Sequence, residues 1–296
     1  MKADGFYALY SITTGSYNTA AGDYALFSNT TGFSNTANGF NALGNNTTGN
    51  NNTADGAGAL RTNTTGSQNT ANGASALFNN TTGNNNTANG VSALSSNTTG
   101  NVNTANGVQA LFSNTTGFSN RANGFNALGN NTTGAQNVAN GASALLSNTT
   151  GNSNIALGPL AGGNLTTGDN NIDIGNGGVA GEANTIRIDT QGTQTKTFIA
   201  GIREVAVPNG VGVIVGANGK LGTVVSSRRF KNEIEPMDKE SEAILELKPV
   251  TFRYKRELDP DGIPQFGLVA EEVGKVNSDL VVRDKEENPT LCATIR

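Results

Sequence analysis

The 296-residue chain has no histidine, no tryptophan and a single cysteine, Cys292. Without histidine, neither a His-based triad nor an imidazole general base is available. A zinc site would have to be built from one thiolate and carboxylates, and no metal and no cofactor are expected. A lone cysteine excludes an internal disulfide, so rigidity must come from packing or assembly. Only 14% of the residues are charged and 6% aromatic, which speaks against a conventional enzyme core over most of the length. No apolar run approaches the roughly 18 residues of a membrane span, and no apolar segment follows Met1-Lys2-Ala3-Asp4-Gly5. Neither a signal peptide nor membrane insertion is expected. The net charge of -4 disfavours nucleic acid as a partner.

What the chain does have is a repeat. Thr-Thr-Gly ends at Gly15, Gly32, Gly49 and every seventeenth residue onward to Gly168. Ala-Leu keeps the same step from Ala8-Leu9 to Ala144-Leu145, and a second glycine recurs from Gly5 to Gly158. The unit reads N-T-A-N-G-x-x-A-L-x-x-N-T-T-G-x-x. Charge is nearly absent from it: up to Gly168 the only charged side chains are Lys2, Asp4, Asp23, Asp55, Arg61 and Arg121.

Asn, Thr and Gly at this density favour turns and strands, and no 3.6-residue apolar pattern crosses the unit. Each unit is therefore expected to form two short strands and two turns, the turns falling at the two glycines, where positive φ costs least. The third-position Ala, eighth-position Ala and ninth-position Leu are expected inside. The position after the first glycine, apolar at Phe40, Val91, Val108 and Phe125, is expected to add one larger packing group per coil. Coils stacked about 4.8 Å apart form a rod of roughly 50 Å with Asn and Thr ladders along it. So thin an interior leaves a single rod marginal against chain entropy, and trimerisation along the rod would supply the missing burial. Composition alone also allows a disordered tract, but disorder does not require Ala, Leu and both glycines to hold one register over ten units. The Asn-Thr-Thr sequons at Asn29, Asn46, Asn63, Asn80, Asn97, Asn114, Asn131 and Asn148 read as a product of the repeat rather than as glycosylation sites.

This unit, with its late variants Asn154-Ile155-Ala156-Leu157-Gly158 and Asn171-Ile172-Asp173-Ile174-Gly175, resembles the head repeats of trimeric autotransporter adhesins and of related bacterial or phage tail-fibre proteins. The resemblance implies a left-handed parallel β-roll that trimerises, although the typical head unit is shorter.

From Gly175 to Val225 the period fades and short β-type runs replace it, among them Thr185-Ile186-Arg187-Ile188 and Val211-Gly212-Val213-Ile214-Val215. Asn209-Gly210 and Asn218-Gly219 each lie between apolar runs, a hairpin signal. Charge and helix formers arrive together after Ser226. Asp238 to Leu247 reads as an amphipathic helix stopping before Pro249. Val250 to Tyr254 and Phe266 to Val269 read as strands, the second leading into a short helix from Ala270 to Val273. The expected class is mainly β: a β-solenoid over 1–176, a β-rich stalk over 177–225 and a small α+β domain over 226–296.

Ser226-Ser227-Arg228-Arg229-Phe230-Lys231, Leu247 to Tyr254 and Phe266 to Val273 together resemble the intramolecular chaperone domain of endosialidase-type phage tail spikes and fibres. The resemblance implies a domain that assembles a trimer and then cuts itself off through a Ser-Lys dyad. Ser226 and Lys231 fall on that dyad, and the scissile bond is Val225-Ser226. A Ser hydroxyl needs a base, and Lys can be one only when neutral; Arg228 and Arg229 would help to lower its pKa. On one helix, residues five apart point about 140° away from each other, so Ser226 must precede the helix or meet a Lys of a neighbouring chain. A solvated basic turn with a Ser N-cap fits the same residues on motif alone.

Two features depart from the family pattern. Ser227 stands where an acidic residue is usual, and the chain ends at Asn288 to Arg296 without the family's Tyr-containing strand and long helix. That end reads as a frameshift, and the N-terminus, in register with Asn-Thr-Ala-Asn-Gly, reads as a cut inside the array. The expected role is a fibre or adhesin segment on a phage tail or bacterial surface. Its expected partners are two further copies of itself, in a homotrimer, and a host-surface glycan or receptor. The alternative is a carbohydrate-binding adhesin with an inert C-terminal domain. A hydrolase acting on an external substrate is disfavoured, because the array holds too few carboxylates to pair.

Overall fold

The computed structural model describes residues 1–190, 213–216, 219–223, 242–253, 264–283 and 289–292, with isolated positions between them. Met1–Ile202 and Arg203–Arg296 are separate compact units.

The first unit is a β-solenoid whose twelve three-residue strands, β1 (Lys2–Asp4) to β12 (Ile186–Ile188), form one sheet in sequence order. All pairs are parallel, and the register places Ala37 on Ala54, Ala54 on Ala71 and so on, a step of 17 up to β11 (Ile172–Ile174). Each coil has one strand rather than the two expected. The second half of the unit cannot extend, because its seventh and ninth residues adopt left-handed conformations, as at Ser92 (φ 56°) and Leu94 (φ 52°). Inter-coil backbone bonds nevertheless continue round the coil: Gly90 and Ser92 donate back to Asn72 and Ala74, Leu94 and Thr98 forward to Ala110 and Thr115.

The Ala and Leu columns line the interior: Ala20 to Ala156, Ala25 to Ala161 and Leu26 to Leu145 are all buried. Two asparagine columns share it. Asn18 to Asn171, at the first position, and Asn29 to Asn148, at the twelfth, are at most 1% exposed. In the first column, from Asn18 to Asn154, each side chain accepts the backbone N–H of its counterpart one coil on and donates to the glycine that follows the Thr pair: Asn86 Oδ1 accepts from Asn103 N at 2.9 Å and Asn86 Nδ2 donates to Gly100 O at 2.8 Å. In the second, Asn97 Nδ2 bonds Asn80 Oδ1 at 2.8 Å and Gly100 O at 3.0 Å. The eight Asn-Thr-Thr asparagines all lie in this buried column, so in the folded coil they serve the repeat.

The two glycines have different reasons. The fifth-position glycine takes positive φ, 140° at Gly90, as expected of a turn. The fifteenth does not; a Cβ there would sit 2.5 Å from the next coil's carbonyl, as at Gly83 against Gly100 O. That glycine serves close stacking. Phe40, Val91, Val108 and Phe125 are 44–59% exposed, so the position after the first glycine faces outward and contributes no packing group to the interior.

The solenoid also runs past the expected boundary at 176. Ile172 pairs with Ile186, a step of 14, and Gly162 N bonds Asn176 O where Leu145 N bonds Ala161 O one coil earlier. The shorter step hides this coil from a 17-residue period, and Thr185 to Ile188, expected in the stalk, belongs to the solenoid. In the rest of the connector, β13 (Val213–Val215) and β14 (Leu221–Thr223) form the antiparallel hairpin expected at Asn218-Gly219, with Gly219 at φ 80°. The Asn209-Gly210 turn lies outside the described residues.

Candidate functional site

The sequence places the site at the start of the C-terminal domain. Ser226 and Lys231, with Val225, Arg228 and Arg229, lie outside the described residues. The two downstream blocks are described. A short helix, α1 (Glu242–Leu245), precedes Pro249, and β15 (Val250–Phe252) pairs antiparallel with β16 (Gln265–Gly267). Val250 stands opposite Gly267, and a Cβ on Gly267 would come 3.1 Å from the Phe252 ring. The Phe-Gly step thus admits the ring beside β16. Helix α2 (Ala270–Val276) follows, with Glu271 and Glu272 in its first turn and Lys275 in its last, each sign matched to the helix dipole. Val273 is its buried anchor. The structure then makes a 3-10 turn at Ser278–Leu280, started by the Asn277 side chain accepting from Asp279 N, and pairs β17 (Val281–Arg283) with β18 (Pro289–Cys292).

A cavity of about 550 Å3 lies beside α2, lined by Leu245, Leu247, Leu268, Val269, Val273 and Val276, with Lys248 and Lys275 among its polar groups. This arrangement is a small fold with a cleft of mixed aliphatic and charged lining, Glu246 and Glu272 included. Among the described residues no group of three or more His, Cys, Asp or Glu could hold a metal ion.

A second constellation lies at the end of the solenoid. Asp173 occupies the third position, held by Ala139 and Ala156 in the preceding coils, and is 1% exposed. Neither carboxylate oxygen has a hydrogen-bond partner. Arg187 stands opposite it in the register but is committed to Glu182, with Nη2 to Oε2 at 2.7 Å and Nε to Oε1 at 2.9 Å. Burial, reinforced by the Glu182 charge and only partly offset by Arg187, raises the Asp173 pKa to about 6. The Arg187 guanidinium holds the Glu182 carboxyl below its usual range. The sequence signal for this group was an acid in a column otherwise filled by alanine.

The folded Asp173 binds a proton more tightly than the unfolded one, which ionises near 3.8. Stability of the last coils is therefore expected to fall as pH rises from about 4 through 6 and to level off above, a change of about 2–3 kcal/mol. Asp173→Ala should remove the slope and stabilise these coils at pH 8. Hydrogen exchange of residues 172–188 at pH 5 and pH 8 checks this; equal pH dependence in both proteins would contradict it.

At the other end of the array, rings gather on the outward turns of the first coils. Tyr10 stacks on Phe27 at 5.4 Å, and Tyr7 meets Phe6, Tyr10, Tyr24 and Phe27 within about 6 Å.

A family model described as the chaperone of endosialidase matches residues 226–282. No curated protein and no solved structure matches the chain.

Proposed function

We propose that this chain is a segment of a trimeric fibre, displayed on a phage tail or bacterial surface and built like the head of a trimeric autotransporter adhesin. Its C-terminal domain assembles three copies and then releases itself. The observation that carries the reading is the meeting of two features at one residue: the matched chaperone segment begins at Ser226, the residue that follows the scissile bond expected from the motif, and a stacked solenoid precedes it in the chain.

The chemistry needs only this chain's side chains. Ser226 Oγ adds to the carbonyl carbon of Val225 while its proton passes to the neutral Lys231 amine. The Ser226 nitrogen takes that proton and leaves, so the Val225 acyl group moves from N to O as an ester. Water then hydrolyses the ester to a Val225 carboxylate and a free Ser226. The nucleophile stays on the released domain, so the reaction runs once per chain and the protein turns over no external substrate.

Intact mass tests this. The wild type is expected to lose residues 226–296, and Ser226→Ala and Lys231→Ala to remain whole; cleavage in all three proteins, or in none, would overturn the self-release. The exposed rings around Tyr7 favour the alternative, a glycan-binding adhesin, and an uncleaved wild type would move the balance to it.

A further inference from the structure

The outward residues of the solenoid sheet change character along the array. In β3 (Thr36–Asn38) to β7 (Thr104–Asn106) the flanking positions of each strand hold Thr and Asn or Asp, and Asn72, Asn89, Asn106 and Asn123 hydrogen-bond one another in a row. In β9 (Val138–Asn140) to β12 the same positions hold Val138, Ile155, Leu157, Ile172, Ile174, Ile186 and Ile188, with Asn140 the one polar exception. Five of these are 38–71% exposed. They stand in register as two columns, Ile155-Ile172-Ile186 and Leu157-Ile174-Ile188.

We propose, building on the trimer reading above, that three copies of this chain clasp one another through this aliphatic face, and that the Thr/Asn face of the earlier coils stays hydrated. Several observations point to a second copy as the occupant. The face holds no charged or hydrogen-bonding side chain except Asn140, so the best complement is another aliphatic face, and a copy aligned along the rod presents identical columns at identical spacing. It is confined to the coils nearest in sequence to the segment matched by the chaperone family.

The test uses the full-length chain and the residues that the same columns hold elsewhere in the array, so that each coil keeps a side chain it already accommodates. The variant Ile155→Thr, Leu157→Asn, Ile172→Thr, Ile174→Asn is expected to show an unchanged circular dichroism spectrum and, by native mass spectrometry, a single chain where the wild type gives three. Thr36→Lys, Thr53→Lys, Thr70→Lys in the earlier coils should leave the trimer intact. A trimeric wild type with a trimeric aliphatic-face variant, or with a Thr→Lys variant that dissociates, overturns this inference and leaves the trimer reading standing. A monomeric wild type removes both.

Discussion

Gly90→Ala is expected to break the solenoid in two. Gly90 sits at φ 140°, and a Cβ built on it lies 2.5 Å from the carbonyl oxygen of Gly107 in the next coil. Backbone cannot yield there as a flexible side chain would, because Gly107 is fixed by its own bond to Asn89 O at 2.8 Å. Conformational strain of about 1–3 kcal/mol combines with the steric overlap, for an expected loss of about 3 kcal/mol or more. In a stacked array each coil touches only its neighbours, so weakening one interface uncouples the two sides. Denaturant unfolding should change from one transition to two. Thr99→Ala, at an exposed position of the next turn, should stay within about 0.5 kcal/mol of the wild type. A single, unshifted transition for Gly90→Ala would contradict the close-stacked coil.

The second large effect concerns the asparagines. Asn86 Oδ1 is the acceptor for the buried backbone N–H of Asn103, and Asn86 Nδ2 donates to Gly100 O. Asn86→Ala leaves that N–H without a partner and is expected to cost about 3 kcal/mol, since an unmade bond at a buried backbone group carries its full desolvation penalty. Asn97→Ala is expected to cost less. Its column bonds side chain to side chain, and Gly100 O, which it shares, keeps the Asn86 donor. Paired denaturation curves for the two variants check the order; equal losses would mean that the columns are energetically alike.

The contrast between these columns bears on what could be read from residues alone. The 17-residue step, the buried Ala and Leu and the parallel stacking were legible because they depend on periodicity, which the chain keeps strictly. Ladders of Asn were expected as well, but not that two asparagine columns would join the three apolar ones in the interior. Asn reads as a surface and turn residue, and only its two amide atoms, each matched to a neighbouring coil, make burial acceptable. The left-handed Leu94 was equally hidden, since leucine carries no local signal for positive φ, and the expected second strand was lost with it. Gly83 and Gly90 both answer to stacking distance, each meeting the next coil's carbonyl at 2.5 Å, and only Gly90 answers to dihedral angle as well. Phe40 and Val91 read as packing groups, yet the narrow coil leaves room inside for nothing larger than Leu. In the C-terminal domain β15 and α2 begin where they were expected, whereas β16 ends at Gly267 rather than Val269, and of the helix expected over 238–247 the described residues are helical from Glu242 to Leu245. The Ser226 and Lys231 pair was legible as a motif with a chemical rationale, and both residues lie outside the described ones.

Native mass spectrometry of the freshly purified wild-type chain tests assembly and self-release at once. The expected species is a complex of three chains each ending at Val225, with the 226–296 fragment released. An intact, monomeric chain of 296 residues would contradict it.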